Sequence, residues 1–382
     1  MLAAHLPYQR YPAAKLLAAD REGALRHVAR ARFADLLRPG DLVVANDAAT
    51  MPASLTGQHA ATGEPVEVRL AGRGSLAAHD VCRFSAVVFG AGDFHQRTED
   101  RPLPPALGAG DRLVLGPLRA VVEKVLRHPR LIALRFEGTP DRIWAGLARH
   151  GRPIQYAHVP APLALWDVWT PIAGPPVAFE PPSSGFAIDW RMLGSLAARG
   201  AGFATVTHAA GISSTGDAGL DGLLPFDEPY RIPGAAADAI RRAREGGGRV
   251  IAIGTTVVRA LEHRASDDGC VRAGEGLATQ RIGAGSRLRV VDAILSGTHE
   301  PGTSHYELLR AFADDATLRR MEAELDARAY RTHEFGDSVF VEVQGAYRNT
   351  PAMRSIRTKR ASERSGSKAG SFPSSIMSEC SA

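Results

Sequence analysis

Apolar positions change their spacing twice along this chain. In ALRHVARARFADLLRPG, residues 24–40, they recur at helical intervals and stop at Pro39 and Gly40, which predicts a helix leading into a short strand, DLVVAND. From about residue 57 to 150 the texture becomes PVEVRLAG, VCRFSAVVFGAG, DRLVLGPLRAVVEKVL and RLIALRFEG, short Val- and Leu-rich runs punctuated by Gly and Pro. Such runs predict antiparallel strands closing into a small barrel or sandwich. A long Pro-rich stretch follows, GRPIQYAHVPAPLALWDVWTPIAGPPVAFEPPSSG, in which no helix is predicted. Its Tyr156, Trp166 and Trp169 argue for order and for a place near a site, since solvated segments seldom carry such residues.

Beyond it, helical and strand patterns alternate: helix DWRMLGSLAARG, strand AGFATVTH, helix GAAADAIRRAREGGG, strand RVIAIG, helix TTVVRALEHRA, strand RLRVVDAIL, and a terminal helix from Glu307 to Ala329. This alternation predicts an α/β core with a partly parallel sheet. The expected organisation is a discontinuous core, residues 1–56 and 151–345, interrupted by an inserted all-β, barrel-like domain at 57–150. A disordered basic tail, 346–382, is expected after the core.

Charge sharpens the picture of that tail. The formal net charge is +5, but residues 346–382 hold seven Lys or Arg and two Glu, which leaves 39 basic and 39 acidic residues in the body. The excess sits in a Ser-, Arg- and Lys-rich end that can add salt-sensitive attraction to phosphate, or simply be solvated. No apolar run approaches the roughly 20 residues needed to span a bilayer, and the first residues lack a secretory pattern, so a cytoplasmic protein is expected. Three scattered cysteines, Cys82, Cys270 and Cys380, form neither a disulfide framework nor a metal knuckle.

Chemistry in an α/β sheet belongs beyond the carboxyl ends of the strands. Three polar breaks fall there: Thr207-His208, Gly254-Thr255-Thr256, and Ser296 to Ser304. The glycine permits a tight turn, and the two threonines either cap a buried helix or leave its N–H groups aimed at a carboxylate or phosphate. His208 and His299, each just past an expected buried strand, are candidates for proton transfer near neutral pH, as is the loop carboxylate Glu228; structural hydrogen bonding or solvation is the plainer alternative for all three. HEPGTSH at residues 299–305 is not a zinc helix, because Pro301 and Gly302 break the helix that would bring both histidines to one face. No phosphate-binding loop or nucleophile elbow is present, and no metal is expected.

The chain resembles the S-adenosylmethionine:tRNA ribosyltransferase-isomerases of queuosine biosynthesis, from about Leu6 to Val341. The likeness is carried by PGDLVVANDAATMPASL, GRVIAIGTTVVRALE, VVDAILSGTHEPGTSHYELLRAF and YRTHEFGDSVFVE, within which Asn46-Asp47, Pro52-Ala53, Gly254-Thr255-Thr256, Arg259, Leu261-Glu262, His299, Pro301, Ser304 and Gly336-Asp337 match the family pattern. The resemblance implies an α/β core interrupted by a β-barrel. It also implies transfer and isomerisation of the ribosyl part of S-adenosylmethionine onto the aminomethyl-7-deazaguanine of tRNA, giving epoxyqueuosine with loss of adenine and methionine. Asn46, Asp47, Ser183, Ser184, Gly185, the Gly254 to Thr256 turn and Arg259 then become substrate-binding residues, with His208, Glu228 and His299 as catalytic ones. A family arginine is replaced at Ala49, another at Ser54, and a family histidine at Ala187. These departures leave two other readings open: an S-adenosylmethionine-dependent transferase of the same fold acting on a different, small-molecule amine, or an inactive relative that binds RNA.

Overall fold

The computed structural model describes residues 1–7 and 13–345; the basic tail lies outside them. Lys15–Ala19 (β1) pairs antiparallel with Leu25–Ala29 (β2), and Leu42–Asn46 (β3) follows. Next come Ser54–His59 (β4), Pro65–Gly72 (β5), Arg83–Phe89 (β6), Arg112–Leu115 (β7), Leu118–Val125 (β8) and Leu131–Phe136 (β9), which close into a barrel in the order β8, β9, β6, β5, β4, β7. Every barrel pairing is antiparallel. Helix Pro140–His150 (α1) starts with proline in its first turn and Thr139 as its cap, and its Ile143 and Leu147 join the barrel's apolar cluster.

The rest of the chain supplies Trp190–Ala198 (α2), Gly202–His208 (β10), Glu228–Ile232 (β11), Gly234–Glu245 (α3), Val250–Ile253 (β12), Thr255–Arg264 (α4), Gly274–Ala278 (β13), Ala293–Gly297 (β14), Ser304–Leu309 (α5), Asp315–Ala327 (α6) and Ser338–Glu342 (β15). A nine-stranded sheet runs β13, β11, β10, β3, β12, β14, β15, β1, β2. Its centre, β10, β3, β12 and β14, is parallel. Strand β3 is buried along its whole length and so is β12, as strands with packing on both faces must be. Two apolar clusters cover the two sheet faces, one including Val44, Val258 and Phe312, the other Val43, Ile251 and Phe340. All barrel strands fall between β3 and β10, which are neighbours in the sheet, so the barrel interrupts the crossover between them.

Four sequence expectations need correction. Residues 24–40 are not one helix: β2 is an edge strand paired with β1, followed by a 3-10 segment, Arg30–Leu36. Strand pairing has overridden a helical apolar spacing. The strand expected at residues 287–295 covers only its last residues, because the N–H groups of Arg289, Val290 and Val291 donate to the Glu262 carboxylate at 2.7, 3.0 and 2.9 Å instead of to a neighbouring strand. The terminal helix is split after Leu309, and Asp314 caps the second half by accepting from Thr317 N at 2.7 Å. The Pro-rich stretch also holds a single helical turn, Leu165–Val168.

Candidate active site

At the carboxyl ends of the parallel strands the chain leaves a cavity of about 300 Å³, within the range of small-molecule sites. Strand β12 ends on its floor at Gly254, whose φ of 88° and ψ of 161° belong to a region of backbone space reserved for glycine. A Cβ there would come within 3.4 Å of Ser184. Gly254 is also the N-cap of α4, and no side chain caps that helix. The hydroxyl of Thr256 instead accepts from Asn46 Nδ2 at 3.3 Å. Of the two readings of these threonines, side-chain capping of α4 is therefore not the one found. Gly254, Thr255 and Thr256, which carry the helix's unpaired first N–H groups and its positive dipole end, line the cavity.

Opposite this turn stands Glu228, at the start of β11. Its carboxylate accepts from Gly211 N at 2.5 Å and from the guanidinium of Arg259, which comes from α4 and also donates to the carbonyls of Phe226 at 3.1 Å and Ala278 at 2.8 Å. Both partners are buried and both line the cavity. An ion pair removed from water in this way holds its shape because losing either partner strands the other's charge.

His208 lies behind this pair. It is fully buried, does not line the cavity, and places Nε2 3.5 Å from Glu228 Oε2, with neither ring nitrogen in a hydrogen bond among the described residues. Burial, then the positive charge of Arg259, pushes its pKa well below the usual value, so the imidazole is neutral. Asn46 and Asp47 are likewise set behind the wall. Asn46 accepts from His208 N at 2.9 Å and donates to the His208 carbonyl at 2.9 Å, while Asp47 accepts from Thr205 and Thr207 at 2.8 and 2.7 Å. Gly185 packs on Thr170. By contrast Ser183, Ser184 and His299 do line the cavity.

His299 follows β14, with Nε2 3.2 Å from Ser296 Oγ, and its ring stacks on His305 at 4.5 Å and 14°. Burial, then the neighbouring His305 and His333, keeps His299 well below the ordinary histidine range; burial takes His305 down to about 4. Two neutral imidazoles therefore face the cavity at neutral pH.

Sequence reasoning missed Glu180. It lines the cavity, accepts from Tyr156 Oη and from Ser213 N at 3.1 Å, and is pushed up to about 7 by burial and then by the negative charge of Glu334. A carboxyl group that holds its proton near neutral pH is matched to proton transfer. Its only trace in the sequence is one acid between an apolar run and two prolines. Tyr156 reaches the site through this bond, whereas Trp166 and Trp169 are 72% and 42% exposed and stand outside the cavity lining.

The family model described as queuosine biosynthesis protein matches residues 1–341. The S-adenosylmethionine:tRNA ribosyltransferase-isomerase of Citrifermentans bemidjiense is 33% identical over 349 residues, spanning 89% of this chain and 96% of the relative. The enzyme of the same name from Geobacter sulfurreducens is 32% identical over 350 residues, with the same coverage. A crystal structure of S-adenosylmethionine tRNA ribosyltransferase from Thermotoga maritima aligns with 22% identity and a TM-score of 0.46 over 89% of this chain and 96% of that one. On the family match and these levels of identity, the chain belongs to the queuosine biosynthesis protein family.

Proposed function

We propose that this protein is an S-adenosylmethionine:tRNA ribosyltransferase-isomerase, moving the ribosyl part of S-adenosylmethionine to the aminomethyl-7-deazaguanine of tRNA and releasing adenine and methionine. The observation that carries the reading is the side-chain-uncapped start of α4 on the floor of a cavity ringed by proton-handling groups. The carboxylate of the methionine moiety docks on the α4 N–H groups, where the helix dipole favours an anion. A sulfonium acidifies the C–H bonds beside it, so a positioned carboxylate or imidazole suffices to take the proton. Glu228, pinned by Arg259 and backed by neutral His208, and His299 are the groups assigned to that step. Glu180, protonated near neutral pH, hands its proton to the departing adenine. The acceptor amine then bonds to the sugar and sheds a proton, and methionine departs with the electron pair of the broken C–S bond as the sugar rearranges; no metal takes part in these steps.

The catalytic core is residues 1–53 and 151–345, and the inserted barrel domain begins with the strand at Ser54 rather than at the expected residue 57 and runs to residue 150. Its proposed substrates point to the cytoplasm; among the described residues no helix is long and apolar enough to cross a membrane. Chromatography for free adenine tests the reaction. Release from S-adenosylmethionine is expected only with tRNA carrying the aminomethyl base; release that ignores the acceptor, or no release at all, contradicts it.

A further inference from the structure

Beside the cavity, two histidines and a glutamate far apart in sequence come together. His158 belongs to the Pro-rich stretch, and His333 and Glu334 to the turn before β15. The ligating atoms of the three all lie within 4.8 Å of one another. His158 Nε2 is 3.1 Å from Glu334 Oε2, and the rings of His158 and His333 stack at 4.3 Å and 18°. Two tetrahedral ligands held about 2.1 Å from one zinc ion stand about 3.4 Å apart, so the His158 and Glu334 pair already has the required bite. His333 is exposed and its φ is 69°, a backbone setting rare outside glycine. Coordination by both imidazoles requires the His333 ring to turn out of its stack on His158, and because that ring makes no hydrogen bond among the described residues, the turn breaks none.

We propose that His158, His333 and Glu334 bind a divalent transition-metal ion of the zinc class, with a fourth position left to water. Two imidazoles and one carboxylate are the donor set that suits zinc and cobalt rather than magnesium or calcium, which favour all-oxygen shells. The spacing along the chain hides the site, since His158 and Glu334 are 176 residues apart. The ion ties the Pro-rich stretch to the turn before β15. Metal binding is read without substrate, so the proposal stands or falls apart from the reaction proposed above.

The test is titration of the chelator-stripped full chain with Co²⁺, followed by visible absorption and calorimetry, with Zn²⁺ as competitor. One equivalent is expected to bind saturably, to give the visible bands of a low-coordinate cobalt site, and to be displaced by Zn²⁺. His158→Ala and His333→Ala are each expected to weaken binding by more than the roughly 10-fold lower bound seen when even an outer-shell partner of a metal ligand is lost. Glu334→Gln, close in shape to the native residue, serves if a histidine variant misfolds and is expected to weaken binding likewise. His95→Ala, at an exposed histidine paired with Asp93, is expected to leave the affinity unchanged. No saturable equivalent, or affinity retained in all three ligand variants, overturns the proposal.

Discussion

Replacing Glu180 with glutamine separates a buried proton carrier from an ordinary acceptor. The native carboxyl is lifted from its ordinary 4.5 to about 7. At about 1.4 kcal/mol per pH unit, keeping it ionised in the folded protein costs roughly 3 kcal/mol. The sign follows from the direction of the lift. A folded-state pKa above the unfolded one contributes stability fully below pH 4.5, and that contribution is lost as the pH rises through about 7. Glutamine does not titrate, but it offers one oxygen to the two donors, Tyr156 Oη and Ser213 N, and so forfeits about 1 kcal/mol. Near pH 4 the variant should thus be less stable than the native protein by about 1 kcal/mol, near pH 5 almost equal to it, and near pH 9 more stable by roughly 2 kcal/mol. Denaturant unfolding across that range, with chelator present, reads the difference directly; the curves should cross. The variant should also lose the ionisation near 7 from its kcat/KM profile for adenine release, and most of its rate. Parallel stability curves, or an unchanged pH profile, would refute the assignment.

Changing Thr255 and Thr256 together to valine removes the hydroxyls that line the cavity and the Asn46 contact, so calorimetry should show S-adenosylmethionine binding weakened by about tenfold; equal affinity would reduce the turn to a helix start. Gly254→Ala forces a side chain into glycine-only backbone space against Ser184 and should cost about 1–3 kcal/mol in unfolding experiments while weakening the cofactor further; native stability would mean the turn relaxes freely. Glu228→Gln and Arg259→Met should each destabilise by about 3–5 kcal/mol, with the double variant recovering a large part, because each single change leaves a buried charge alone. Additive losses in that double-mutant cycle would show that the pair is not coupled.

Much of the scaffold is legible in the residue pattern. The run RVIAIG reads as a buried strand and becomes one, since a central parallel strand needs apolar residues on both faces. The Gly254 break and helix α4 follow where the pattern puts them. Short Val- and Leu-rich runs at residues 65–136 give away most of the barrel's strands, since one face of each packs inside it, whereas the polar Ser54–His59 strand carries no such signal. Local spacing fails where a distant partner decides. Residues 25–29 are a strand only because β1 lies beside them, and residues 289–291 leave the sheet only because Glu262 captures their N–H groups. In the site, His208 was recognisable as the end of a strand, but which side of the wall its ring occupies depends on Glu228 and Arg259 arriving from elsewhere. Glu180 and His305 carry no periodic signal, and their proton affinities exist only after burial.

The most direct measurement is the mass spectrum of nucleosides from tRNA bearing the aminomethyl-deazaguanine after incubation with the purified protein and S-adenosylmethionine. We predict that the modified base gains the mass of the rearranged ribosyl group, in step with adenine released. An unchanged nucleoside, in the presence of intact cofactor and folded protein, would contradict the proposed reaction.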